Sequence, residues 1–279
     1  AGFAPHNAFA IATMREAMRA CRAKGVENVV MTMWGDNGAE CSKFAVLPAL
    51  FMVAQMARGI DDEETIHANF EKEFGIPFED FRALDLAGTQ NDSAEAIYNP
   101  EKYLLYCDPF MGQFDNRVKP ADAAGYADCA ARLAVYADHA EYGYLFRSLR
   151  ALCAFLSVKA DLGIRTRVAY LSGDKKAAKA LCTDYDAALE RLDAFYAAYE
   201  QQWMHENKPQ GFDVVDLRIG GQRQRLLHCR DRLLAYAEGR LDRIEELEEP
   251  VLDCCCEEKA DGQATRAIFW HEIASANVI

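Results

Sequence analysis

The chain has 279 residues, 51% of them hydrophobic, with modest Gly and Pro counts and a formal charge of −13. That length can bury a sizeable core, as one large domain or two smaller ones, and the composition excludes a disordered or fibrous protein. The acidic balance argues against nucleic acid or an anionic membrane surface as partner, since both need a basic face. No apolar run reaches bilayer-spanning length, and the opening AGFAPHNAFA lacks the pattern of a signal peptide.

In chain order, the first 24 residues predict a helix, with Phe9, Met14, Ala17, Met18 and Cys21 on one face and a stop at Lys24-Gly25. Residues 28–34 predict a strand without polar alternation, buried on both faces in the manner of parallel strands. That run ends abruptly at Trp34 in Gly35-Asp36-Asn37-Gly38, with Glu40 just beyond. A second helix is predicted from Ser42 to about Arg58. Helix, strand, loop and helix make part of a βα repeat with one strand present.

Beyond Gly59, residues 60–115 predict short helices and loops, and long helices follow from Pro120. Residues 184–204 carry an apolar stripe through Tyr185, Leu192, Phe195, Tyr199 and Trp203, and residues 222–249 another through Leu226, Leu233, Ala237, Leu241 and Ile244. Short connections between long helices imply antiparallel neighbours in a bundle. The final RAIFWHEIASANVI predicts an extended tail or a short strand packing back.

Ten cysteines do not space as a disulfide framework. Seven stand singly, most among apolar neighbours, as buried thiols do in a reducing compartment, which favours a cytoplasmic setting. The adjacent Cys254, Cys255 and Cys256 leave a soft-metal or redox reading open, though no second cysteine pair or His stands at finger-like spacing. The six histidines show no i, i+4 pairing and Gly220-Gly221 has no phosphate-loop context, so no metal and no cofactor are expected. Arg218, Arg223, Arg225 and Arg230 read as a helix face balanced by Asp213, Asp216 and Asp231.

GFAPHN at 2–7 and VMTMWGDNGAECS at 30–42 resemble the last βα segments of the catalytic barrel in family 20 glycoside hydrolases, the β-N-acetylhexosaminidases. NKPQGFDVVDLRIGGQRQRL at 207–226, with the helical part as a whole, is similar to the C-terminal helical domain of a bacterial branch of that family. The resemblance implies a mainly α chain: a (β/α)8 barrel remnant at residues 1–58 (helix seven, strand eight, helix eight), then a bundle-like C-terminal α-helical domain at 59–279. It implies a sugar pocket at the end of the strand, where barrels keep their functional side chains. There Trp34 would be a flat wall for the sugar ring and Asp36 an acceptor for hydroxyls remote from the reacting carbon, with Asn37 and Glu40 as weaker candidates. Glu40 can equally start the following helix, whose dipole favours an acid.

The same resemblance implies an exo-acting enzyme that removes terminal N-acetylhexosamine or glucosamine from glycans, by substrate-assisted chemistry needing an adjacent Asp-Glu pair. The only Asp-Glu step is Asp62-Glu63, within an acidic run that reads as first-turn acids or a solvated helix face, so this chain alone is expected to lack a catalytic pair. Its expected partners are the terminal amino-sugar, in the intact parent, and a second copy in a homodimer. The rival reading is a stand-alone helical interaction module without activity.

Overall fold

The computed structural model describes residues 2–35, 39–90, 99–251, 253–255 and 264–266, the last two segments as backbone only. It is mainly helical and divides into two compact units, Ala1–Thr89 and Gln90–Ile279.

In the first unit, helix α1 (Asn7–Ala23) has no capping side chain of its own at His6. A buried carboxylate 78 positions away does that work. Asp85 accepts the Asn7 N–H at 3.1 Å, the Ala8 N–H at 2.8 Å and the Asn7 side-chain amide at 2.9 Å, and that amide also donates to the Ala45 carbonyl at 2.9 Å. An anion at a helix N-terminus satisfies orphan donors and meets the positive end of the dipole. It also sets the rotation of the helix. Asn7, Ile11 and Met18 face inward, while Phe9 and Ala17, expected on the apolar face, are exposed. Half-buried Arg15 and exposed Arg19 reach Glu63 at 2.5 Å and Asp61 at 2.9 Å.

A 3-10 turn (Lys43–Val46) capped by Ser42 leads into α2 (Leu47–Ala57), matching the helix expected from 42 to 58. Helix α3 (Glu63–Phe74) starts on Asp62, which accepts the Thr65 N–H at 2.8 Å, and stops at left-handed Gly75. Two single turns follow, α4 (Phe78–Phe81) and α5 (Leu86–Thr89). Fully buried Phe70 is ringed by Phe51, Phe74, Phe78 and Phe81, with centroids 4.4–5.5 Å away. Aromatic pairs at such distances add to simple burial.

The strand expected over 28–34 does not form. From Arg22 to Gly35 every residue but Met31 is exposed, and no backbone ladder joins the segment to other described residues. The physical reason is that a strand needs a neighbour for its N–H and C=O groups.

In the second unit, α6 (Pro100–Tyr106) is buried along its whole length. Helices α7 (Asp122–Leu133), α8 (Gly143–Lys159), α9 (Leu162–Leu171), α10 (Lys175–Glu206) and α11 (Phe212–Ala237) follow. Both α7 and α10 pack along α8, and α11 packs along α10. The predicted stripe at Tyr185, Leu192, Phe195 and Tyr199 is buried, and Trp203 is half-buried. Residues 222–249 are not one helix: α11 ends at Ala237, before Gly239 takes a left-handed conformation. Two three-residue strands, β1 (Asp253–Cys255) and β2 (Ala264–Arg266), pair in parallel; the rest of the final stretch lies outside the described residues.

Between α6 and α7 the chain is tied down by buried charge. The Lys159 ammonium donates to the carbonyls of Leu104 at 3.3 Å and Cys107 at 2.7 Å, closing the C-terminal end of α6. Asp108 accepts the Phe110 and Met111 N–H groups and pairs with Arg225 at 2.5 Å. Burial pushes the Asp115 carboxyl up to about 6, against the pull of Lys159 and Arg167.

Two outcomes follow. Asp85→Ala should cost the first unit roughly 1–3 kcal/mol, because buried donors lose their acceptor, and hydrogen exchange at the start of α1 should accelerate. For Asp115, the unfolded chain ionises near 3.8 and the folded chain near 6, so its contribution is whole below the first value and lost as pH rises through the second. Asp115→Asn should therefore match the parent near pH ~4 and exceed it near pH ~7.5, by up to roughly 2–3 kcal/mol in urea unfolding.

Candidate functional site

The segment from Val26 to Glu40 carries the predicted site. It leaves α1 through Lys24 and left-handed Gly25, with the Val26 N–H returning to the Cys21 carbonyl at 3.0 Å. Val30 is 85% exposed and Trp34 78%, with Val29 and Met33 also open. The Trp34 indole N–H donates to the Thr32 hydroxyl at 2.9 Å, two residues back along the chain. That bond holds the ring to the segment and leaves its faces open.

The chain then doubles back. A Cβ on Gly35 would lie 2.8 Å from the Ala39 Cβ, so only glycine fits, and Ala39 itself is held at φ 54. A left-handed alanine is uncommon, and such backbone gathers at functional loops. Asp36 and Asn37 lie between these two residues and outside the described residues. Glu40 is buried at 4% exposure, whereas Trp34 on the other side of the loop is open. The helix-starting role possible for Glu40 falls instead to Ser42, whose hydroxyl accepts the Phe44 N–H at 3.1 Å.

Asp62 and Glu63, the only Asp-Glu step, are spent on structure: one caps α3 and the other pairs with Arg15. Arg223, Arg225 and Arg230 are likewise paired, but with Asp193, Asp108 and Asp186 on other stretches of chain; of the acids expected to balance them, Asp231 pairs with Arg230 at 2.8 Å. No group of three or more metal-ligating side chains occurs among the described residues.

Sequence reasoning missed the turn at 107–115 of the second unit. There burial raises Cys107 to about 12 and Asp115 to about 6, and perturbed acids of this kind often mark functional sites. Its signal was the polar run Asp108, Gln113 and Asp115 inside an aromatic stretch. A cleft of about 250 Å³ opens beside it, lined by Met111, Gln113, Arg167, Glu246, Glu249 and Pro250. Two of its charged side chains, Arg167 and Glu246, are already committed. Arg167 donates to the Leu247, Glu249 and Phe110 carbonyls, and Arg232 holds Glu246 at 2.5 Å.

Against known proteins, the family model described as the glycoside hydrolase 20C C-terminal domain matches residues 77–266, about two thirds of the chain. No curated protein matches. The match spans the long helices α7 to α11 and the turn that buries Lys159, and the chain belongs to the family of glycoside hydrolase 20C C-terminal domains.

Proposed function

We propose that this chain is the C-terminal part of an exo-acting family 20 glycoside hydrolase that removes terminal N-acetylhexosamine or glucosamine, with residues 1–58 as the end of its catalytic barrel. The observation that carries the reading is the run from Val29 to Trp34: apolar but for Thr32, largely open to solvent and without a backbone partner among the described residues. Singly exposed apolar residues are ordinary, but a contiguous set is normally covered. Phe9 and Phe44 add to the apolar surface of the same unit. Neighbouring barrel strands would supply both the missing backbone partners and the apolar cover. The family match supports a hydrolase parent for the helices that follow.

In this reading Trp34 offers its open face to the C–H side of the terminal sugar, and Asp36 accepts hydrogen bonds from its hydroxyls. Asn37 borders the pocket, and Glu40 braces the loop from its buried position. The general acid and the carboxylate that orients the acetamido group belong to the rest of the barrel. This chain contributes recognition and orientation, and contacts remote from the reacting carbon can be expressed in kcat as well as KM.

Trp34→Ala and Asp36→Ala in the intact hydrolase test the proposal. Loss of charge-assisted hydrogen bonds should cost roughly 1.5–3 kcal/mol, about ten- to a hundredfold in kcat/KM. Asp36→Ala within about twofold of the parent on its best substrate would return the loop to a plain turn. The chain by itself should not hydrolyse aryl N-acetylglucosaminides above background. By itself it should also cover Val29–Trp34 with a second copy; a monodisperse monomer in sedimentation, with Trp34 open to quenchers, contradicts the barrel assignment of this segment.

A further inference from the structure

We infer that a cleft between α2 and α3 of the first unit is a binding site for a small organic carboxylate with an apolar body. The cleft measures about 530 Å³, within the range of small-molecule sites, and both helices and the turn between them line it. Its frame is Gln55 of α2, buried at 6% exposure. The Gln55 backbone carbonyl accepts the Arg58 and Ile60 N–H groups at 3.0 Å each, which closes α2 and fixes both residues at the cleft. Its side-chain oxygen accepts the Asn69 amide of α3 at 3.0 Å. Its side-chain NH2 has no acceptor among the described residues and is not sealed from solvent. A largely buried amide with an unused donor at a cleft wall is completed by an acceptor from outside the protein.

Two cations at the same cleft give that acceptor its charge. The chain has 44 acids against 31 bases, and in this unit Arg15, Arg19 and Arg82 hold carboxylates at 2.5–2.9 Å. Arg58 and Lys72 also line the cleft, yet neither pairs with an acid among the described residues, Glu73 of the same lining included. Where carboxylates are in excess, cations left open beside an unused donor suit an anion from solution, and a guanidinium fork fits a carboxylate. The remaining lining is largely apolar. Phe51 and Phe74, both half-buried, meet edge to face with centroids 5.5 Å apart, and Ile60 adds to them from the turn. That surface takes the apolar body of the ligand. Glu73 opposes a second negative charge, which favours a carboxylate over a phosphate dianion.

The experiment titrates the full chain with phenylpropionate, with its neutral amide and inorganic phosphate as comparison probes, by calorimetry and by NMR of the side-chain NH2 groups. The expected result is saturable binding of phenylpropionate that shifts the Gln55 NH2 signal. The two comparison probes should bind at least about tenfold more weakly, since one lacks the charge and the other the apolar body. Arg58→Gln and Lys72→Gln change exposed side chains that make no bonds among the described residues. Each should weaken binding about two- to fivefold, and added salt should weaken it too. Gln55→Glu keeps an oxygen for Asn69 but sets a like charge against the carboxylate, and should weaken binding by more than about tenfold.

Circular dichroism equal to the parent's shows that a variant is folded; should Gln55→Glu fail there, the two surface variants still decide. Binding that does not saturate by about 10 mM, or that Arg58→Gln and Lys72→Gln together leave unchanged, overturns the site. Equal binding of the neutral amide overturns the role of the cations, and equal binding of phosphate overturns the carboxylate assignment. The cleft uses neither Trp34 nor Asp36, so its failure leaves the sugar-pocket reading untouched, and the readout does not involve hydrolase activity.

Discussion

Helix α8 is the constraint on which the second unit is built. It carries α7 on one side and α10 on another, so most of its length has no access to water. Phe146, Leu152, Phe155 and Leu156 are at zero exposure, and Lys159 at its C-terminal end is buried as well. Burying an ammonium costs several kcal/mol unless it is bonded. The carbonyls of Leu104 and Cys107 meet that demand, which requires the end of α6 to sit against the end of α8. The turn that follows is then fixed in its course. Asp108 bonds its own backbone and Arg225, and Arg167 gathers the Phe110 carbonyl with those of Leu247 and Glu249. Three cations, Lys159 on α8, Arg167 on α9 and Arg225 on α11, thus tie the 104–110 stretch to the helices around it.

The pair α10 and α11 solves a different problem. At 32 residues α10 is about 48 Å long at 1.5 Å per residue, and an apolar seam of that length permits slippage by a turn. The charges along its edge forbid it. Tyr196 bonds Asp216 at 2.7 Å, Arg223 pairs with Asp193 at 2.7 Å, Arg230 with Asp186 at 2.5 Å, and Lys179 with Glu238 at 3.5 Å. Positions descend on α10 as they rise on α11, as an antiparallel pair demands. Most of these side chains are well exposed, so each contact adds little stability. A slip of one turn would break all of them together, so their role is register, while the buried seam from Tyr185 to Tyr199 supplies the stability.

The helical unit was legible because its signals are local. The spacing of Tyr185, Leu192, Phe195 and Tyr199 states a helix face whatever lies opposite, whereas Arg223 takes Asp193 of α10 rather than Asp213 or Asp216 of its own helix. What escaped were consequences of distant contact. Nothing near Asn7 announces that Asp85 will cap α1, and that cap turns Phe9 outward against the apparent apolar stripe. Nothing in the sequence around Lys159 says that it will lie buried on two carbonyls. Of the site, the resemblance pointed to Trp34 and Asp36. The pinch between Gly35 and Ala39 needed coordinates, because a glycine requirement depends on what approaches it.

The segment at 28–34 was misjudged for an instructive reason. An unbroken apolar run reports that a strand would be buried on both faces; it carries no information on what would bury it. Within its own unit the run has no ladder, and Val30 and Trp34 face solvent. The rest of that unit shows no such neglect: Ile66, Phe70, Ile76, Phe81 and Leu84 are at zero exposure, and Asp85 satisfies a helix end. A unit that packs its phenylalanines into one cluster and caps its helices internally has not failed to fold. Its apolar residues divide into a set that serves the unit's own core and a set, at 26–34, that the core leaves outside. Selection for the unit's stability alone gives no reason to keep Val29, Val30, Met33 and Trp34 in an open segment. Under the barrel proposal, neighbouring strands complete the ladder and cover that set.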